Sequence, residues 1–240
     1  MSKGKATRRA GRPGVDGLVP IALPRPALKP SASLARALQR RRTIREIGEK
    51  ELPSQILSDL LWAACGVNRR RGPFGLPGRT AATASNSQEI DVYVAMEEGT
   101  YRYDPFTHRL EPVLAGDVRP LAIGRGQGGM GGRAPVRLIF VADIDRLVHT
   151  KGFQEPGLHD PEVQRSYCDV DTGIIAANVY LYAAAAGLAA WFHNCNRPAL
   201  EKKLGLPKDQ RALYGQTVGY PLGRGGRPGG HRVFDPKGRE

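Results

Sequence analysis

The chain has 240 residues, 40% of them hydrophobic, enough to bury a full core as one large domain or two small ones. Its net charge of +13 is unevenly placed: residues 1–30 carry +6 and residues 222–240 carry +3, leaving +4 for the 191 residues between. A high pI made by the two ends supports weak, salt-sensitive attraction to polyanions and argues against a specific nucleic-acid site.

In chain order, residues 1–32 read as a flexible or extended basic arm, because Gly and Pro recur and no helical period survives. Ser33 is a candidate N-cap for a helix with Leu34, Ala37, Leu38 and Arg41 on one stripe. Arg41-Arg42-Thr43-Ile44-Arg45 follows, with three guanidiniums and a hydroxyl in five residues. Guanidinium forks bind phosphate bidentately, and a basic run at the edge of a core needs an anionic partner or open water. A second helix starts near Pro53-Ser54, with Ile56, Leu57, Leu60, Leu61 and Ala64 on one face and Gly66 at its end. Asn68 to Gly78 is an Arg/Gly/Pro loop.

Ile90 to Met96 alternates as a strand. Glu97-Glu98-Gly99-Thr100 turns it, Tyr101-Arg102-Tyr103 returns, and His108 to Val113 adds a third strand. Gly124 to Gly132 is a glycine-rich loop that lacks the strand-to-helix context of a dinucleotide loop. Val136 to Ala142 is a continuous apolar run, the pattern of a central strand. Asp171 to Ala190 reads as one long apolar helix with small residues at intervals. Pro198 to Leu204 is a short helix and Leu213 to Tyr220 a last strand. Residues 222–240 form a basic Gly/Arg tail. The class is α+β, with a mixed, mostly antiparallel central sheet.

Cys65, Cys168 and Cys195 show no CxxC or zinc spacing, and the five histidines show no i,i+4 pair. Neither a disulfide framework nor a metal site is supported, and reduced thiols suit a cytoplasmic protein. A periplasmic location follows only if an export signal has been removed. Ile174 to Phe192 is free of charge but alanine-rich, and reads as a core or interface helix, not a membrane span.

Several motifs are weak singly and specific in order. Arg-Arg-Thr-Ile-Arg at 41–45 precedes Leu60-Leu61-Trp62-Ala63-Ala64-Cys65-Gly66-Val67-Asn68-Arg69, then Asn86-Ser87-Gln88. Asp171-x-Gly173-x4-Asn178, Gly187-Leu188 and Gly219-Tyr220-Pro221 complete the set. The chain resembles the FMN-dependent nitroreductase superfamily over about residues 34–221. Arg79 to Ser85 and Glu89-x-Asp91-x-Tyr93 look most like the branch that holds azoline-oxidising dehydrogenases.

The resemblance implies an α+β sandwich, residues 33–221 as one FMN domain, and a homodimer with FMN at the subunit interface. It places Arg41 on the FMN phosphate, Arg42 and Thr43 on the phosphate or ribityl chain, and Arg45 near flavin N1/O2. Thr83, Ala84, Ser85 and Asn86, with Gln88 close by, match the stretch a second subunit supplies. Asn194 and Cys195 stand where backbone N–H groups meet flavin N5 and O4. Arg224 or Arg227 supplies a second phosphate cation. Arg45 and Asn194 are thus the residues closest to the chemistry.

The sequence departs from the family in three places. Thr43 replaces the usual serine, Ala84 lacks a hydroxyl, and Trp191-Phe192-His193-Asn194 is bulkier than usual, which implies an altered pocket. The implied activity is NAD(P)H-driven reduction of nitroaromatic, quinone or related small acceptors by hydride transfer through flavin N5. Azoline-type dehydrogenation, or flavin binding without turnover, stand as alternatives. The implied partners are a second copy and a small-molecule substrate, with no specific nucleic acid and no membrane.

Overall fold

The computed structural model describes residues 15, 17–27, 32–127, 131–153 and 157–222. Ser33 caps α1 (Leu34–Arg40), its hydroxyl accepting the Arg36 amide at 3.3 Å. Pro53 precedes α2 (Ser54–Cys65), whose Leu57, Leu60, Leu61 and Ala64 are buried. Gly66 ends α2 for want of room, not for handedness: its φ is −68°, and a Cβ there would stand 2.5 Å from Trp62 Cδ1.

The segment expected as an Arg/Gly/Pro loop contains a small antiparallel ribbon, β2 (Val67–Arg69) with β3 (Gly78–Arg79). The expected meander is present as β4 (Ile90–Ala95), β5 (Gly99–Asp104) and β6 (Arg109–Ala115). β1 (Ile21–Ala22) pairs with β6, so part of the segment expected as a flexible arm is a sheet strand. Ala27 adds a tie, donating its amide to Asp59 Oδ1 at 2.8 Å.

β7 (Val136–Asp143) leads into a short helix, α3 (Ile144–Val148), that the hydrophobic pattern does not signal. Then come α4 (Pro161–Ala186), β8 (Ala189–Asn194), α5 (Arg197–Leu204) and β9 (Gln210–Gly219). The seven-stranded sheet runs β1-β6-β5-β4-β7-β9-β8, and every pairing in it is antiparallel.

β7 explains its own continuous apolar run. Leu138, Phe140 and Ala142 face the core under α2 and α4, while Ile139 and Val141 face a second cluster with Leu200 and Leu204 of α5. A strand covered on both faces has no polar side to alternate.

The largest difference from expectation is the long helix. It starts ten residues earlier than Asp171, where Asp160 accepts the Glu162 amide and Pro161 takes the first turn. It stops at Gly187, whose φ of 73° is the left-handed helix end that glycine adopts most readily. Leu188 to Asn194 then turns back, and β8 is an edge strand of the sheet. The charge-free stretch 174–192 is therefore split between helix and strand. Among the described residues no helix is long and apolar enough to cross a membrane.

Candidate functional site

The Arg41–Arg45 run leaves α1 and lies along the outer edge of β8, the Ile44 amide donating to Ala190 O at 3.0 Å. Arg41, Arg42, Thr43 and Arg45 are exposed, and none of the three arginines has an acidic partner among the described residues. They are braced on aromatic rings instead. The Arg41 guanidinium lies 5.5 Å from the Tyr180 ring centroid, and that of Arg45 lies 5.8 Å from Trp191. The Tyr180 hydroxyl accepts the Phe192 amide at 2.8 Å and meets Thr43 Oγ1 at 3.1 Å, locking run, helix and edge strand together.

Asn194 ends β8, about 10 Å beyond Trp191 along the strand, with its side chain exposed. Its carbonyl accepts the Gly124 amide at 2.8 Å and His193 Nδ1 at 2.9 Å. Burial pushes His193 down to about 4, so the ring is neutral and carries its proton on Nδ1. Thr217 then donates its hydroxyl to Nε2, at 2.8 Å. Cys195 is buried, and burial raises its thiol to about 11, so only its backbone is suited to a ligand. The bulk of Trp191 and His193 is turned inward, at 2% and 4% exposure. Phe192 stacks on Phe140 and Tyr214.

Thr83 to Gln88 forms a separate cluster. Ser85, Asn86 and Gln88 have φ of 48°, 55° and 53°, three left-handed residues without glycine, which costs backbone energy. Side chains hold it in place. Thr83 Oγ1 accepts the Gln88 amide at 3.1 Å, and Asp171 Oδ2 accepts the Ala84 amide at 2.9 Å. Gln88 Nε2 donates to Pro77 O at 2.7 Å and to Asn86 Oδ1 at 2.8 Å, so this buried amide orders the loop. Arg146 donates to Gln88 O at 2.8 Å.

The two clusters dock on the same helix at different heights. The nine helical steps from Asp171 to Tyr180 correspond to about 13 Å of α4. The two clusters are thus about two and a half helical turns apart. Arg224 and Arg227 lie outside the described residues.

Residues to which the sequence assigns no site role support these clusters. Tyr180 reads in sequence as one of two tyrosines in an apolar helix. Glu89 lies fully buried beneath the loop, where it accepts the Ser87 hydroxyl at 2.6 Å and its charge is felt by Asp171. Asn178, which needs a partner if buried, donates to Ala64 O at 3.3 Å.

The fold and these clusters define a class: an α+β sandwich whose edge strand carries an unpaired basic run suited to an anionic group. Residues 38–220 match the Nitroreductase family. The chain belongs to that family and is a nitroreductase-like oxidoreductase. A Methanocaldococcus jannaschii protein whose name assigns it to the nitroreductases is 30% identical over 158 residues, covering 63% of this chain and 73% of that one. A Ralstonia eutropha JMP134 crystal structure, described in the same terms, superposes with a TM-score of 0.73 at 34% identity. It covers 93% of this chain and 100% of its own. The NADPH:FMN oxidoreductase of Vibrio harveyi, solved with NAD+, shares the fold at 16% identity and a TM-score of 0.55, covering 79% of this chain and 69% of its own.

Proposed function

We propose that the chain binds FMN and, as a homodimer, passes electrons from NAD(P)H to a small acceptor such as a nitroaromatic or a quinone. The observation that carries this reading is the Arg41–Arg45 run: exposed, braced on Tyr180 and Trp191, and without an acid among the described residues. A phosphate-bearing ligand supplies the missing anion. The Vibrio harveyi relative, named for NADPH and FMN, supports the same pairing through its fold.

FMN, when bound, supplies the two-electron chemistry. The chain's own residues bind and orient. Arg41 and Arg42 hold the phosphate, with Arg224 or Arg227 as a further cation. Thr43 takes the ribityl end, its hydroxyl positioned by Tyr180. Arg45 sits toward the ring, where a fixed cation favours the reduced, more negative form. The Asn194–Cys195 backbone stands at the ring edge, stiffened by the His193–Thr217 pair. Thr83 to Asn86, ordered by Gln88, come from the second copy, which agrees with the separation of the two clusters along α4. The inward packing of Trp191 and His193 keeps their bulk off the solvent side of β8, which favours turnover over flavin storage.

The purified chain is expected to be yellow, with one FMN per chain by absorbance, and to oxidise NADH or NADPH when a nitroarene or quinone is added. A colourless protein whose melting temperature ignores added FMN overturns the reading. Arg41→Ala removes a charge-assisted phosphate contact and is expected to weaken FMN binding by about tenfold or more. Fluorescence titration of the apoprotein measures it, and unchanged affinity removes Arg41 from the phosphate site.

A further inference from the structure

A cavity of about 580 Å³ lies behind the Ser85–Gln88 loop, away from the Arg41–Arg45 run. Arg79 of β3 lines it. This side chain is only 8% exposed, and among the described residues it has no hydrogen bond and no ion pair. Its Nε is fully buried without an acceptor. The guanidinium plane rests on Phe106, 5.2 Å from the ring centroid.

The acids that line the cavity are committed elsewhere. Asp91 takes Arg146 through both oxygens at 3.0 Å, and Asp104 accepts the Phe106 amide at 2.9 Å and the Thr107 hydroxyl at 2.8 Å. Asp145 is exposed, with His149 Nδ1 3.1 Å from its carboxylate. A guanidinium withdrawn from water and left without an anion is costly. Burial accordingly lowers the Arg79 pKa.

Part of the exposed lining is apolar. Phe74, Leu76 and Phe106 are 50%, 42% and 54% exposed, against the usual burial of such side chains. Phe74 also holds φ at 57°, a rare conformation for an aromatic residue, and its ring packs against Gly152, where a Cβ would stand 2.6 Å away.

We propose that this cavity binds a small monocarboxylic acid with an aromatic or branched apolar body. The carboxylate pairs with Arg79, and the body lies among Phe74, Leu76 and Phe106. One buried, unpartnered fork matches one carboxylate; of the other cations on the lining, Arg146 is held by Asp91, and Arg102 and Lys151 are exposed. Ser85 and Gln88, placed in the cofactor site above, also line the cavity, and the pairing with Arg79 is tested separately from flavin binding.

The test is calorimetric titration of the purified chain with phenylacetate, phenylacetamide and inorganic phosphate. Phenylacetate is expected to bind at least about tenfold more tightly than its neutral amide, since charge-assisted pairs carry that much. Arg79→Met is expected to erase the preference, Arg79→Lys to keep part of it, and Phe106→Ala to weaken phenylacetate severalfold. Should Arg79→Met fail to fold, the wild-type ratio and Phe106→Ala still decide. Equal binding of acid and amide overturns the proposal, as does phosphate binding more tightly than phenylacetate. So does phenylacetate binding that survives Arg79→Met, or that is unchanged by Phe106→Ala.

Discussion

Glu89 and Asp171 form a buried acid pair directly under the loop that carries Ser85 and Asn86. Burial is the largest reason both titrate high, and the neighbouring carboxylate adds to it for Glu89, which rises to about 7. A proton on Glu89 relieves the repulsion between the two carboxyls, while Ser87 donates to Glu89. A raised folded pKa means the folded state holds a proton that the unfolded chain releases near 4.5. Stability from this proton is therefore complete below about 4.5 and is lost as pH climbs through about 7. Glu89→Gln keeps the shape and removes the titration. Its melting temperature is expected to gain on wild type by several degrees between pH 5.5 and pH 8, on the order of 3 kcal/mol at most. Parallel melting curves at the two pH values would show that the pair does not titrate as described.

Legibility at this scale follows from whether a residue's role is local. Arg41 to Arg45 announce themselves because concentrated charge beside a helical pattern is visible in one dimension. Arg79 does not. It stands after Arg69, Arg70 and Arg71 in a Gly/Pro-rich stretch, and only the β2–β3 ribbon and the Phe106 ring bury it. Tyr180 is similar, because its three contacts come from residues 41, 43 and 192, which the fold alone assembles.

At the scale of elements, the meander and both early helices follow from period and caps. The central helix differs from its apolar pattern at both ends, although the signals for both ends are present in the sequence. Asp160-Pro161 is a ready N-cap and first turn, and Gly187 is a ready left-handed stop. What hid them was the run of apolar residues on both sides of Gly187, since a buried strand such as β8 has no polar alternation to mark it. The stop is testable. A Cβ at Gly187 meets nothing within 4 Å, so a substitution there acts through φ alone. Gly187→Ala is expected to destabilise the fold by about 1 kcal/mol, and Gly187→Asn by less, because asparagine tolerates the left-handed region. Urea unfolding measures both. Equal midpoints for the alanine variant and wild type would mean that the helix end does not rely on handedness.

At the scale of the whole molecule, the described chain presents two half-sites on one long helix, near Tyr180 and near Asp171. If a second copy supplies the complement, as proposed, each cofactor site draws its arginines from one chain and its Thr83–Asn86 loop from the other. A two-fold assembly then makes a sharp prediction. Arg41→Ala/Arg42→Ala should lose flavin, and so should a chain whose loop is broken by Asn86→Pro, which cannot adopt a φ of 55°. Co-expressed, the two should form heterodimers in which one site has both halves broken and the other has both intact. With random pairing, about a quarter of all sites should then hold flavin, where each variant alone holds almost none. Absorbance per chain after co-purification measures the fraction. If co-expression restores nothing while the mixed dimer is present, both halves act within one chain, and the two clusters on α4 belong to a single site that closes some other way.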